Sequence, residues 1–363
     1  MSQPHSPAPS DAPWVPAPEL LAEVRASLVE WPAERVRASL ERLHEQPLRP
    51  EEAIELEAHE LLLKPRAEPA AALALLRRAH ELQQLAQTTQ AGLAEAAAWR
   101  ALHALQMGLH MLPAALQSAG MAASVYEREG APRLAQQMRV LHVTLLFQAE
   151  MYEDLARACA ELVRSNPDLP PGFLYRVLSG AGAAAFCLAL RAEDDSVLEA
   201  QLLTAVAWQM QGLALAQAHG LEALEAVSQV NLAVLEAVRG DAQRSADWMA
   251  RLDVEKFRLN GRPDWKDWLN FAQALRQAPH TEEGWQQLLG VTRAVLAKGQ
   301  ALAALRDACL YTVKRLGRRL GRLADALWAS EQLIDVRLGS VRQLTQTLCP
   351  TMEAALERPQ LLQ

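Results

Sequence analysis

Apolar residues recur at intervals of three and four along nearly the whole chain. No segment sustains an alternation of apolar and polar positions rich in β-branched residues. That period is the mark of amphipathic helices. It predicts helices over 18–29, 32–45, 50–64, 68–87, 90–108, 112–129, 132–149, 151–165 and 172–190. Further helices are predicted over 196–219, 221–238, 241–252, 263–277, 281–298, 300–320, 322–337 and 339–348. The connections between them are short. An all-α chain of this kind poses one question before any other, whether its helical hairpins repeat.

They do. "ALQSAGMAASVYEREG" begins at Ala115, has Ala122 seven residues on and ends on Gly130; "AVAWQMQGLALAQAHG" repeats those offsets with Ala205, Gly212 and Gly220. Gly284, Val291 and Gly299 do so again, and Ala72 with Ala79 keeps the phase without the glycine. Leu155 with Leu162, Ser245 with Leu252, and Ala326 with Leu333 fill the gaps, so the units start 43, 40, 50, 40, 39 and 42 residues apart. A small residue lets two helix axes approach where they cross, and a residue one or two turns later fills the next layer. The glycine supplies a left-handed stop that turns the chain into the next hairpin. Each hairpin alone exposes an apolar face that its neighbours must cover.

Three segments carry a family likeness. "EMYEDLARACAELVRSNPD" has an aromatic at Tyr152 and closes on Asn166-Pro167; "RGDAQRSADWMARL" holds the Gly240-Asp241 turn; "WLNFAQAL" spaces Trp268, Phe271, Ala272 and Leu275. These segments resemble the tetratricopeptide repeat, the first as its second helix and the last as its first-helix signature. A period near 40 rather than ~34 residues is similar to the longer-helix version found in bacterial regulatory and sensor proteins. The likeness spans residues 32–337, with large residues at Leu155 and Leu162 in place of small ones and a weakly marked first hairpin over 32–64. It implies an α-α superhelix, a solenoid of about seven hairpins, whose stacked first helices line a concave groove. In that phase Arg100, Met107, Gln137, Thr144 and Phe147 face the groove, and Trp268 packs between two helices. The domain reading is a Pro-rich disordered tail over 1–17, a repeat array over 18–337, and a capping or coupling helix over 338–363, where Val341, Leu344 and Leu348 form an apolar stripe.

Composition narrows the function. Half of the residues are hydrophobic, 22% are charged and only 5% are aromatic, so a large aliphatic core is available. The net charge of −7 argues against general nucleic-acid binding, which needs a basic footprint. Cys159, Cys187, Cys309 and Cys349 lie far apart, with neither a zinc spacing nor a disulfide framework, which suits a reducing, cytoplasmic setting. The opening residues lack the basic start and apolar run of a signal peptide. Two long uncharged runs, 101–126 and 200–221, contain histidines and glutamines at a density costly in hydrocarbon, and read as interior helices of a soluble protein.

Four local patterns carry candidate chemistry. "GAGAAA", Gly180 to Ala185, mimics a dinucleotide fingerprint but lies inside a predicted helix, which makes it a close-packing stretch. His103, Met107, His110 and Met111 can share a helix face, yet no carboxylate or thiol accompanies them, so no metal is expected. Trp265, one turn from Trp268 and beside Asp264, is either an isolated surface indole or a partner anchor. "KRLGRRLGR" gathers Lys314, Arg315, Arg318, Arg319 and Arg322; helical spacing puts Arg315, Arg318 or Arg319, and Arg322 on one face near a helix end. Such cations complement the helix dipole in any case. They also suit capture of an acidic peptide terminus or a phosphate through guanidinium forks.

No catalytic constellation stands out, and no cofactor motif. The reading is a non-enzymatic scaffold that binds a protein or peptide in its groove, in bacterial regulation or signalling, with Arg315, Arg318, Arg322, Trp265, Arg100, Met107 and Phe147 as candidate contacts. A second reading is a sensor in which a small molecule or peptide binds the array and controls a separate output protein, such as a diguanylate cyclase or a transcription regulator. A third is a transcription-related adaptor acting through the 314–322 edge. The final helix offers a route to oligomers, and no membrane contact is expected.

Overall fold

The computed structural model describes the backbone of residues 16–30, 33–64, 69–166, 168–253, 265–298 and 303–356, and their side chains apart from 26–30, 33–35, 69–70 and 340–356. The N-terminal tail up to residue 15, Pro167, Asp264, Gly299 and the side chains of Val341, Leu344, Leu348 and Cys349 therefore lie outside the described residues.

Every element among the described residues is a helix. In order they are α1 (Ala17–Glu30), α2 (Ala33–His44), α3 (Pro50–Leu63), α4 (Pro69–Thr88), α5 (Gly92–Gly108), α6 (Leu112–Arg128), α7 (Pro132–Gln148) and α8 (Tyr152–Ser165). They continue as α9 (Pro171–Arg191), α10 (Asp195–Ala218), α11 (Glu222–Arg239), α12 (Ala242–Ala250), α13 (Trp265–Gln277), α14 (Glu282–Ala297), α15 (Ala303–Arg319) and α16 (Leu323–Leu356). Packing divides the chain into two units, Met1–His142 and Val143–Gln363.

The repeat phase read from sequence falls on the even-numbered helices, except for Leu252, which lies just past the end of α12. Ala72, Ala79, Ala115, Ala122, Leu155, Leu162, Ala205, Gly212, Ser245, Gly284, Ala326 and Leu333 are all buried; Leu252 and Val291 are half-buried. The small residues sit where an even helix crosses its neighbour. Gly284 shows how tight this is, since a Cβ there would lie 2.5 Å from the backbone carbonyl carbon of Gln277. Ser245 is buried too, and its hydroxyl donates to the carbonyl of Ala233 at 2.8 Å.

Among the described residues the glycine stops also form. Gly130, Gly220, Gly240 and Gly321 have φ of 71°, 62°, 86° and 73°, the left-handed turn that lets a helix end and the chain reverse. Behind each, a backbone N–H reaches a carbonyl five residues back, as Leu221 does to Ala216 at 2.8 Å. Gln90, His110 and Glu150 adopt the same conformation without being glycine, at φ of 56°, 57° and 56°. The turn geometry is thus repeated where the sequence signal for it is missing.

Three expectations about helices need adjustment or now have their detail. The uncharged run 101–126 belongs to the two helices expected there, separated at the left-handed His110. The predicted pair 322–337 and 339–348 is one continuous helix, α16, because Gly339 keeps helical backbone and no left-handed residue interrupts it. "GAGAAA" lies within α9, and Gly182 admits Gln209 of α10, whose amide nitrogen would sit 2.6 Å from an added Cβ. Helix α9 is long and apolar enough to cross a membrane by length and composition alone, and 61% of its most apolar window is buried within the fold.

The first unit has a core dense in alanine. Ala79, Ala86, Ala97, Ala98 and Ala101 are fully buried between α4 and α5, with Leu82, Leu102 and Leu105 filling the layers between them. In the second unit, α9, α11, α13 and α15 pack on one another as well as on their even-numbered partners, and α15 also meets α9. The second unit therefore curls its odd-numbered helices round a common space.

Candidate functional site

That space is a groove of about 510 Å³, lined chiefly by α7, α9 and α11, with Trp268 from α13 and Ala304 from α15. Its walls are aromatic and aliphatic: Phe147, Phe186, Trp268, Val227, Val234 and Leu235. The Phe186 and Trp268 rings lie 6.4 Å apart and tilted, and Trp268 meets Phe271 edge-on at 6.5 Å. Trp268 thus packs between helices and still borders the groove.

The polar groups in the groove are few and held. The Asn231 amide donates to Gln209 Oε1 at 3.3 Å, and Gln209 donates to the carbonyl of Ser179 at 3.4 Å. The Tyr175 hydroxyl donates to the carbonyl of Leu224 at 2.8 Å and lies 3.0 Å from the Ser228 hydroxyl. Gln209 is buried, so its amide is fixed by these partners rather than by water. Arg176 and Thr144 are exposed at the rim, and Arg176 makes no ion pair among the described residues. A site of this make-up, apolar walls with ordered side-chain amides, suits an extended chain whose backbone needs hydrogen-bond partners.

A charged cluster beside the groove was not legible in the sequence. Glu150 accepts from Arg191 at 2.7 Å and from Arg337, a residue 187 positions away; Arg337 also donates to Asp307 at 3.3 Å. Asp307 in turn accepts from Arg306 at 3.1 Å, and both are buried. The Arg191 guanidinium lies over the Tyr152 ring at 4.4 Å. Burial pushes the Asp307 carboxyl above the usual range, against the pull of Arg306.

The sequence-predicted contacts are dispersed. Phe147 lines the groove, half-buried, with Thr144 exposed beside it. Met107 is half-buried at the end of α5, in the first unit. Arg100 and Gln137 are corrections: both are buried, and Arg100 donates to Gln137 at 2.9 Å. They turn into the first unit's core, because a phase taken from even-numbered helices does not fix the rotation of odd-numbered ones. Burial lowers the basicity of Arg100, with Tyr126 opposing that shift. Trp265 is half-buried with the Lys266 ammonium 5.5 Å from its ring centroid, and does not border the groove.

The basic run does not converge as helical spacing suggested. Helix α15 ends at Arg319, and the left-handed Gly321 turns the chain before Arg322. Arg322 consequently pairs with Glu282 and lies 5.1 Å over the Trp285 ring. Arg315 donates to the carbonyl of Ala192 and lies 3.8 Å from Asp195. Arg318 and Arg319 are exposed without an ion pair among the described residues. Of the histidine–methionine face, His103 is buried against the carbonyl of Ala115 at 3.2 Å while His110 is exposed in a turn. Among the described residues no group of three His, Cys, Asp or Glu is placed to hold a metal ion.

No family model matches the chain, and no curated protein matches it. Among solved structures it is similar to a Rap protein in complex with competence and sporulation factor, with a TM-score of 0.52 and 10% sequence identity. That similarity covers 92% of this chain and all of the other. At that identity the likeness concerns the fold, and it shows a TPR-like helical-repeat fold.

Proposed function

We propose that this chain is a non-enzymatic regulatory protein that holds an extended peptide in the groove of its second unit and controls a separate protein through that occupancy. The observation that carries the reading is the groove itself: about 510 Å³, walled by Phe147, Phe186 and Trp268, with the Gln209–Asn231 amides held within it. An extended peptide presents a backbone donor and acceptor at every residue, and side-chain amides answer both. The aromatic walls take alternate side chains. The structural neighbour was solved with a factor bound, which supports the same use of the fold here. The TPR-like likeness and the absence of a catalytic pattern in the sequence favour binding over chemistry.

The test is selection from a random peptide library displayed on phage, using the full chain as bait. Enriched peptides should bind saturably, and Asn231→Ala or Phe147→Ala should weaken them at least tenfold while the helical circular dichroism is retained. A library that yields no saturable binder, or binders indifferent to both substitutions, would overturn the reading.

A further inference from the structure

A second cavity, of about 450 Å³, lies apart from the groove where the C-terminal ends of α11, α13 and α15 come together. Four guanidinium groups line it: Arg239, Arg276, Arg315 and Arg319. Their partners are unequal. Arg239 is satisfied by Glu199 at 2.8 Å and Glu236 at 2.7 Å, and Arg315 by Ala192 and Asp195. Arg276 has no carboxylate partner among the described residues: its Nη1 faces the Met249 sulfur at 3.6 Å, and its Nε is buried without an acceptor. Arg319 is exposed and without an ion pair among them.

Cations at helix C-termini are favourable for the dipole alone, which explains why charge is tolerated at this edge. It does not explain a buried guanidinium nitrogen with no acceptor, which costs free energy unless something accepts from it. Nor does it explain the aliphatic wall of the same cavity, Leu190, Leu275, Leu316 and Leu320, which stands beside the polar groups of His280, Tyr311 and Thr312. The volume falls within the ~300–1,000 Å³ of small-molecule sites. Two guanidiniums without a carboxylate partner among the described residues, beside a hydrocarbon wall, fit one chemistry, an oxyanion head on an apolar body. A carboxylate matches the guanidinium fork.

We propose that this cavity binds a small organic carboxylate with an apolar chain, its head between Arg276 and Arg319 and its chain along the leucine wall. The site is separate from the groove, so it stands or falls independently of peptide binding. It gives the chain a second input, of the small-molecule kind.

The test uses decanoate, held below its micellar concentration, titrated into the full chain by calorimetry. Decanol and inorganic phosphate serve as the neutral and headgroup-only probes. Arg319→Gln and Arg318→Gln form a matched pair, since both remove one exposed charge from the same helix end but only Arg319 lines the cavity. Decanoate should bind with one-to-one stoichiometry, at least tenfold tighter than decanol or phosphate. Arg319→Gln should weaken it at least fivefold, and Arg318→Gln should leave it unchanged. Equal weakening by the two substitutions would mean diffuse charge attraction and would overturn the proposal. So would the absence of saturable binding, or decanol binding as tightly as decanoate.

Discussion

The two units are built from the same hairpin yet differ in what they leave open. In the first, alanine dominates the α4–α5 contact and buried polar residues fill what remains: Arg100 with Gln137, and Ser118 donating to Gln106 at 2.7 Å. In the second, the odd-numbered helices carry Phe147, Phe186 and Trp268 on their inner side, and both cavities described above lie there. Small residues let helix axes close up, and larger side chains, propped by a charged cluster, leave space between them. The same repeat therefore packs on alanine at the α4–α5 contact in one unit and surrounds a groove in the other.

The sharpest way to break this contrast is to damage the prop. Asp307→Leu leaves Arg306 buried without its carboxylate, so the second unit should lose about 3–5 kcal/mol. Urea unfolding followed by hydrogen exchange should place that loss after Val143, with the first unit unaffected; a loss spread over both units would mean the division is not energetic. Next in size is overpacking. Ala115 is fully buried, and Ala115→Leu should cost ~1–3 kcal/mol, read as a lower urea midpoint. An unchanged midpoint would show that the repeat phase does not mark helix crossings.

Acid should separate the units by sign. Burial lowers the affinity of His80, His103 and His142 for a proton, and all three belong to the first unit. The unfolded chain then binds more protons than the folded one, so their contribution is present above the unfolded value of ~6.5 and lost as pH falls through it. Asp307 has the opposite sign. Its folded value is raised, so the folded state takes up the proton first and the second unit gains from that group as pH falls toward ~4. Amide exchange compared at pH 7.5 and 5.5, corrected for intrinsic rates, should show lowered protection in α5–α6 and none of that loss in α9–α11. Equal loss in both would count against the histidine assignment.

The smallest effect concerns the turns. Gln90→Gly and His110→Gly should each stabilise the first unit by about 1 kcal/mol or less, since a left-handed residue with a Cβ is strained. Either substitution lowering the thermal midpoint would mean that the side chain outweighs the backbone there.

Much of the repeat was legible because helix crossing imposes a residue size at a fixed spacing. Ala115, Ala205 and Gly284 announce themselves for that reason. The candidate site was legible only in part. Phe147 and Thr144 were placed on the groove, but Arg100 and Gln137 were not separated from them, because periodicity fixes a helix's face and not which neighbour covers it. Arg322 was put on a shared face by extending a helix past the left-handed Gly321. The cluster joining Glu150, Asp307 and Arg337 had no signal at all, since nothing local encodes a contact made 187 residues away. Arg276, Gln209 and Asn231 were missed for the same reason: each matters through what another helix brings to it.

The central claim is that ligand space belongs to the second unit's groove. Hydrogen exchange of the full chain, with and without a saturating peptide from the library selection, tests it most directly. The account predicts slowed exchange in α9 and α11, around Ser179, Gly182 and Asn231, with the helices before His142 unchanged. Protection confined to the first unit, or a saturated peptide that leaves α9 and α11 exchanging as before, would contradict it.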